Sequence, residues 1–148
     1  MPVEYRTGDL FSSDTDALAH GCNCQGVMGA GIAVQFRKRY PEMFKEYQNR
    51  CRTYQFYLHS VYPYEAPDGR VIYNLGTQVY PGPHADLFAI KCCMEIMVTY
   101  PTKKDQVIRS IALPRIGCGL GGLNWMDVKK VIEQVGSKTD IDLVVYSL

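Results

Sequence analysis

Apolar and polar positions along this chain follow two periods, near 2 and near 3.6, and the changes between them mark out its elements. Val3–Thr7 and Ala17–Cys22 read as short strands, the first stopped by Gly8-Asp9 and the second preceded by the polar cluster SSDTD. From Gly29 the period lengthens: Ile32, Ala33, Phe36 and Tyr40 recur at helical spacing, with Gln35, Arg37, Lys38 and Arg39 on the other faces. Pro41 breaks or restarts that helix, because proline suits a first-turn position, and Phe44, Tyr47 and Cys51 continue a second apolar face. Residues 54–64 alternate and are rich in aromatics. APDG at 66–69 is a turn signal, proline presetting φ and glycine accepting φ > 0, and RVIYNLGTQ returns as a strand. The loop YPGPHAD leads into a helix whose expected buried stripe is Ala85, Phe88, Ala89, Cys92 and Ile96, with His84 capping it or standing at a pocket rim. Residues 108–113 form an apolar strand stopped by Pro114, followed by the glycine-rich RIGCGLGGL. A helix from Asn124 to about Lys138 turns Val128, Val131, Ile132 and Val135 inward, with Asn124 as its cap and Asp127 in its first turn. Residues 141–147 close the pattern as a strand.

Strands alternating with helices, several of them continuous apolar runs, predict an α/β fold whose parallel or mixed sheet is covered on both faces. No repeat or linker interrupts residues 1–148, so one domain is expected; the chain is also expected to be a monomer. A hydrophobic content of 47% and a charged content of 21% are those of a globular chain. The net charge of +1 gives nucleic acid no broad electrostatic footprint, leaving at most a local contact to a strand end. No apolar run reaches the roughly 18 residues needed to span a bilayer, and the first residues lack a secretory pattern. A cytoplasmic, reduced protein without a membrane partner is the expectation.

The 6 cysteines include no two pairs with zinc-ligand spacing, and Cys22-Asn23-Cys24 has one intervening residue, which suits a strand end better than a tetrahedral clamp. No metal and no cofactor are expected, and the cysteines read as small apolar packing groups. The glycines carry more. One glycine-rich stretch, 21–31, follows the ALAHGC strand and another, 117–122, follows IALPR, each preceding a helix. In open α/β sheets ligands sit at the carboxyl ends of strands, and glycine lets backbone N–H groups approach an anion there. Two such loops could grip a diphosphate from opposite sides. A P-loop signature is absent, and GVMGAG carries its glycines in the reverse of the dinucleotide-binding order.

TGDLF at 7–11, ALAHGCNCQGVMGAGIAVQFRKRYP at 17–41, PRIGCGLGGLNW at 114–125 and VVYSL at 144–148 resemble, in that order, the macrodomains, which bind ADP-ribose. Within the family they are similar to the branch of terminal ADP-ribose glycohydrolases, DNA ADP-ribosyl glycohydrolases and ADP-ribose-1″-phosphate phosphatases. The resemblance implies a three-layer α/β/α fold with a central mixed sheet. It also implies that ADP-ribose or an ADP-ribosylated substrate is the partner. By it, Asp9 accepts from the adenine amino group, with Leu10 beside it, and Tyr146 lies near the adenine. Asn23 holds the distal ribose; Gly29, Ala30, Gly31 and Ile32 wrap the diphosphate and that ribose; Ile116, Gly117, Cys118, Gly119 and Leu120 form the facing wall. Thr77 belongs to the loop at the distal end.

The chain also departs from the pattern. The glycohydrolases carry a lysine in the loop after the fourth strand and an aspartate after GCGL; here Thr77, Gln78 and Val79 occupy that loop and Gly121 follows GCGL. A lysine-dependent covalent mechanism is disfavoured. His20, just ahead of Cys22-Asn23-Cys24, is the candidate proton relay, with Asn23 as a polar helper, and its bland counterpart is a core histidine. Gln78 and Tyr80 stand where they could touch a leaving group. The expected function is binding of ADP-ribose and hydrolysis of a derivative at its distal ribose. The alternatives are a reader without turnover and removal of ADP-ribose from nucleic acid.

Overall fold

The computed structural model describes residues 3–100 and 107–148. Six strands form one mixed sheet: β1 (Val3–Thr7), β2 (Ala17–Cys22), β3 (Val61–Glu65), β4 (Val71–Gly76), β5 (Ser110–Pro114) and β6 (Asp142–Ser147). Their order across the sheet is β1-β6-β5-β2-β4-β3, every neighbouring pair parallel except β3 with β4. Helices α1 (Ile32–Arg39) and α2 (Pro41–Arg52) cover one face, and α3 (Leu87–Thr99) and α4 (Trp125–Gly136) the other. This is the three-layer arrangement expected.

The period of two sorts side chains between the layers. In β2, Ala17 and Ala19 pack toward α3 and α4, whereas Leu18 and Cys22 join Phe36, Met43 and Tyr47 of α1 and α2. The central strands are buried on both faces, hence their continuous apolar sequence. Pro41 restarts the helix, Tyr40 lying between α1 and α2, and Asn124 caps α4 through its side chain to Met126 N–H at 2.8 Å. No helix among the described residues is long and apolar enough to cross a membrane.

Three expectations need correction. The strand expected over 54–64 begins only at Val61: beyond α2 the chain curls back, Gln55 and Phe56 N–H both donating to Arg50 O, and Phe56 tucks under the helix end. The strand expected from Ile108 starts at Ser110, although Ile108 is itself buried. The buried face of α3 is Ala89, Ile90, Cys93, Met94 and Met97, leaving Phe88 64% and Ile96 40% exposed. Apolar residues surround this helix, and the charged Lys91 and Glu95 mark the outward side on which Phe88 and Cys92 fall.

Candidate functional site

A cavity of about 930 Å³ opens at the carboxyl edge of the parallel strands. Its walls come from the segments following β1, β2, β4 and β5 and from the end of β6. All the residues that the resemblance assigns to the ligand, from Asp9 and Leu10 through Thr77 to Tyr146, line it; His20 and Tyr80 do not. The two glycine loops face each other across it. They meet where Leu120 Cδ1 lies 3.6 Å from the place a Gly31 Cβ would occupy. Gly31, the residue before α1, has φ 62°, a conformation natural to glycine that lets the loop turn sharply into the helix.

The glycines differ in what surrounds them. A Cβ on Gly117 would come 2.8 Å from Ile90 Cδ1, and one on Gly121 2.7 Å from Gly117 O, so these two serve packing against α3 and the loop itself. A Cβ on Gly29 or Gly119 would meet nothing within 4 Å. Neither needs a left-handed backbone, and both line the open cavity.

At one end Asp9 Oδ1 accepts from Phe11 N–H at 3.0 Å, so this residue caps the turn Leu10–Ser12 while also lining the cavity. Tyr146 closes that end, its hydroxyl accepting from Arg6 Nη1 at 3.3 Å. At the other end Thr77 is buried, its N–H donating to Cys22 O at 3.1 Å and thereby tying the end of β4 to β2. Gln78 Nε2 donates to Tyr80 O at 2.6 Å and Gly82 O at 3.0 Å, pinning the loop that follows. Tyr80 and His84 are not among the residues lining this cavity and instead meet each other ring edge to face at 6.3 Å; the cap of α3 is Asp86, accepting from Ala89 N–H at 3.0 Å. Among the described lining residues the side chains of Asp9 and Arg115 carry formal charge, and the Arg115 guanidinium stacks over Trp125 at 4.7 Å.

His20 is a core residue. It has no exposed surface, stacks on Phe36 at 3.8 Å and bonds through Nε2 to Asn74 Oδ1 at 2.7 Å. Asn74 Nδ2 donates to Tyr62 O at 3.1 Å, so Oδ1 is its acceptor end and His20 Nε2 carries the proton. Burial lowers the imidazole pKa to about 4, partly opposed by Asn74, and the ring is neutral at physiological pH. The side chain therefore holds β2 to β4 and is not placed to exchange protons with the cavity. Burial also raises the Cys22, Cys24 and Cys118 thiols, Cys24 to about 11, which removes the thiolate a nucleophile needs.

Asn23 faces the cavity with its amide already engaged. Its Oδ1 accepts from Gln25 N–H at 2.9 Å and its Nδ2 donates to Val27 O at 2.8 Å. Tyr47, assigned to the core by its helical spacing, reaches Asn23 as well, a contact that periodicity cannot reveal because it depends on how far a hydroxyl extends beyond its ring.

With this geometry in place, likeness to known proteins becomes informative. The family model described as Macro domain matches residues 19–132. A DNA ADP-ribosyl glycohydrolase of Mycobacterium bovis is 34% identical over 97% of this chain, which spans only 42% of that protein's length. The human ADP-ribose glycohydrolase OARD1 is 33% identical over 99% of this chain and 91% of its own length. The solved macrodomain of Mycobacterium tuberculosis DarG superimposes with a TM-score of 0.84 at 32% identity, covering 99% of this chain and 97% of that one.

Proposed function

The chain belongs to the Macro domain family, and from that premise we propose that its cavity binds ADP-ribose and that it hydrolyses an ADP-ribose derivative at the distal ribose. The observation that carries this reading is the pair of glycine loops converging on one cavity, with Asp9 at one end and Asn23 at the other. Backbone amides and helix starts can hold a diphosphate without a metal. Asp9 and Tyr146 then face the adenine, and Asn23, Thr77 and Gln78 face the distal sugar. Relatives named DNA ADP-ribosyl glycohydrolase and ADP-ribose glycohydrolase support a hydrolase acting on this class of compound.

The chemistry proposed differs from a lysine-dependent route. Thr77, Gln78 and Val79 occupy the loop where the resemblance puts the lysine, and Gly121 stands where it puts the aspartate. Neither place offers an amine or a carboxylate to an anomeric carbon. We assign the attacking group to water, oriented by the bound phosphates and backbone amides while the Asn23 amide holds the distal sugar. Water adds to the anomeric carbon as the bond to the aglycone oxygen breaks, and the water's proton ends on the departing oxygen.

Calorimetry with ADP-ribose, ADP and AMP tests the pocket: ADP-ribose is expected to bind best, and equal affinities for all three would remove the reading. Incubation with ADP-ribose-1″-phosphate and with serine-, glutamate- and DNA-linked adducts, followed by product analysis, tests turnover. Tight binding with every adduct left intact would replace hydrolysis by a reader function.

A further inference from the structure

Tyr47 stands on the inner face of α2, its residue surface fully buried and its ring edge-on to Phe56 at 5.4 Å. Its hydroxyl nevertheless reaches out of this apolar layer to the loop after β2. The hydroxyl proton is shared between Asn23 O at 2.8 Å and Asn23 Oδ1 at 2.9 Å, with Val27 O further away at 3.4 Å. Gln25 N–H donates to the same Oδ1, and Asn23 Nδ2 donates to Val27 O. These bonds settle which end of the Asn23 amide is oxygen. Exchanging the two ends would set Nδ2 against the Gln25 N–H and Oδ1 against the Val27 carbonyl, donor facing donor and acceptor facing acceptor. Val27 O takes one Nδ2 hydrogen, and no acceptor among the described residues takes the other.

We propose that Tyr47 is a positioning residue for the distal-sugar end of the cavity, its hydroxyl holding Asn23 so that the remaining Nδ2 hydrogen is presented to a sugar hydroxyl. This rests on the ADP-ribose reading given above. Burial raises the phenol pKa, so Tyr47 stays protonated and remains a donor. The next residue of α2 acts on the same turn, Gln48 Nε2 donating to Gly26 O at 3.0 Å. Two successive side chains of one helix thus shape the loop before any ligand arrives. Preorganisation of this kind lowers the ordering cost of binding.

Tyr47→Phe keeps the ring in the core and deletes the hydroxyl. Calorimetry on the full chain is expected to show the Kd for ADP-ribose rising on the order of 5- to 20-fold, as loss of about one oriented hydrogen bond implies. The Kd for ADP, which lacks the distal sugar, stays within about twofold. Equal loss for both ligands, or none for ADP-ribose, overturns the role. A second measurement guards against a general loosening of the fold. In an Asn23→Ala background the same Tyr47→Phe change is expected to leave ADP-ribose affinity within about twofold, because the group it positions is gone. A full independent loss in that background overturns the proposal. Should the unmutated chain bind ADP as tightly as ADP-ribose, the ligand reading itself falls, a result distinct from any effect at Tyr47.

Discussion

A glycine can be present for the chain itself or for something that docks on it, and the space where its Cβ would stand separates the two. Gly117, at φ 77° and with Ile90 Cδ1 2.8 Å from where its Cβ would stand, belongs to the chain. Gly117→Ala is expected to destabilise by about 2 kcal/mol or more, through left-handed strain and overpacking together. Gly119→Ala meets open space. It is expected to change stability by less than about 0.5 kcal/mol while weakening ADP-ribose severalfold, since a methyl group there stands between backbone donors and ligand. Urea denaturation and calorimetry on the two variants check the contrast. His20 shows the same division for a titrating group. Its folded pKa, about 4, lies below the ordinary value of 6.5, so the unfolded chain binds the proton more readily. Its contribution to stability is complete above about pH 6.5 and is lost as pH falls toward 4, a window worth on the order of 3 kcal/mol. The urea midpoint should fall over that range and fall less in His20→Gln. A turnover step near pH 6 to 7 that vanishes in His20→Gln would restore the proton-relay role.

Elements were legible where one face alone is apolar and obscure where nothing distinguishes the faces. In α4, Val128, Val131, Ile132 and Val135 all turn inward as their spacing implies. In α3, apolar residues on nearly every side let Phe88 and Ile96 pass for core, and only the charges at Lys91 and Glu95 mark the outward side. The aromatic run after α2 mimicked a strand because Tyr54, Phe56 and Leu58 recur at every second position, yet only Phe56 of the three is fully buried and Tyr54 is exposed. Tyr54 occupies φ 59° just past the helix end, a place usually taken by glycine, and is 88% exposed. Tyr54→Gly is expected to raise stability by about 0.5–1 kcal/mol in urea denaturation, whereas Tyr54→Ala, which keeps the left-handed strain, is not. The loop after β5 argues the opposite case. Introducing the aspartate that the resemblance places at 121 would bring its Cβ 2.7 Å from Gly117 O and 2.8 Å from Ala85 Cβ. Gly121→Asp should therefore cost about 1–3 kcal/mol and bring no gain in turnover over the unmutated chain, as thermal unfolding and product analysis would show.

At the scale of the whole molecule the candidate site follows from strand order. Because β2 and β5 are adjacent and parallel, the loops leaving them emerge side by side, one entering the α1–α2 layer and the other α4. That adjacency was legible only as two glycine runs at strand ends. The contacts that steady the walls, such as Tyr47 to Asn23 and Thr77 to Cys22, join residues far apart in sequence, and only the folded chain brings them together. A ligand held between the loops touches both helical layers, and its binding energy should appear as resistance to global unfolding. At a free concentration one hundred times Kd it contributes about 2.7 kcal/mol, or roughly 5–10 °C in a chain of this size. Thermal unfolding should show that shift with ADP-ribose. Hydrogen exchange should show slower amides in both 27–32 and 116–120. Protection confined to one loop would mean that the ligand rests against a single wall, and the clamp of opposed amides would then have to be given up.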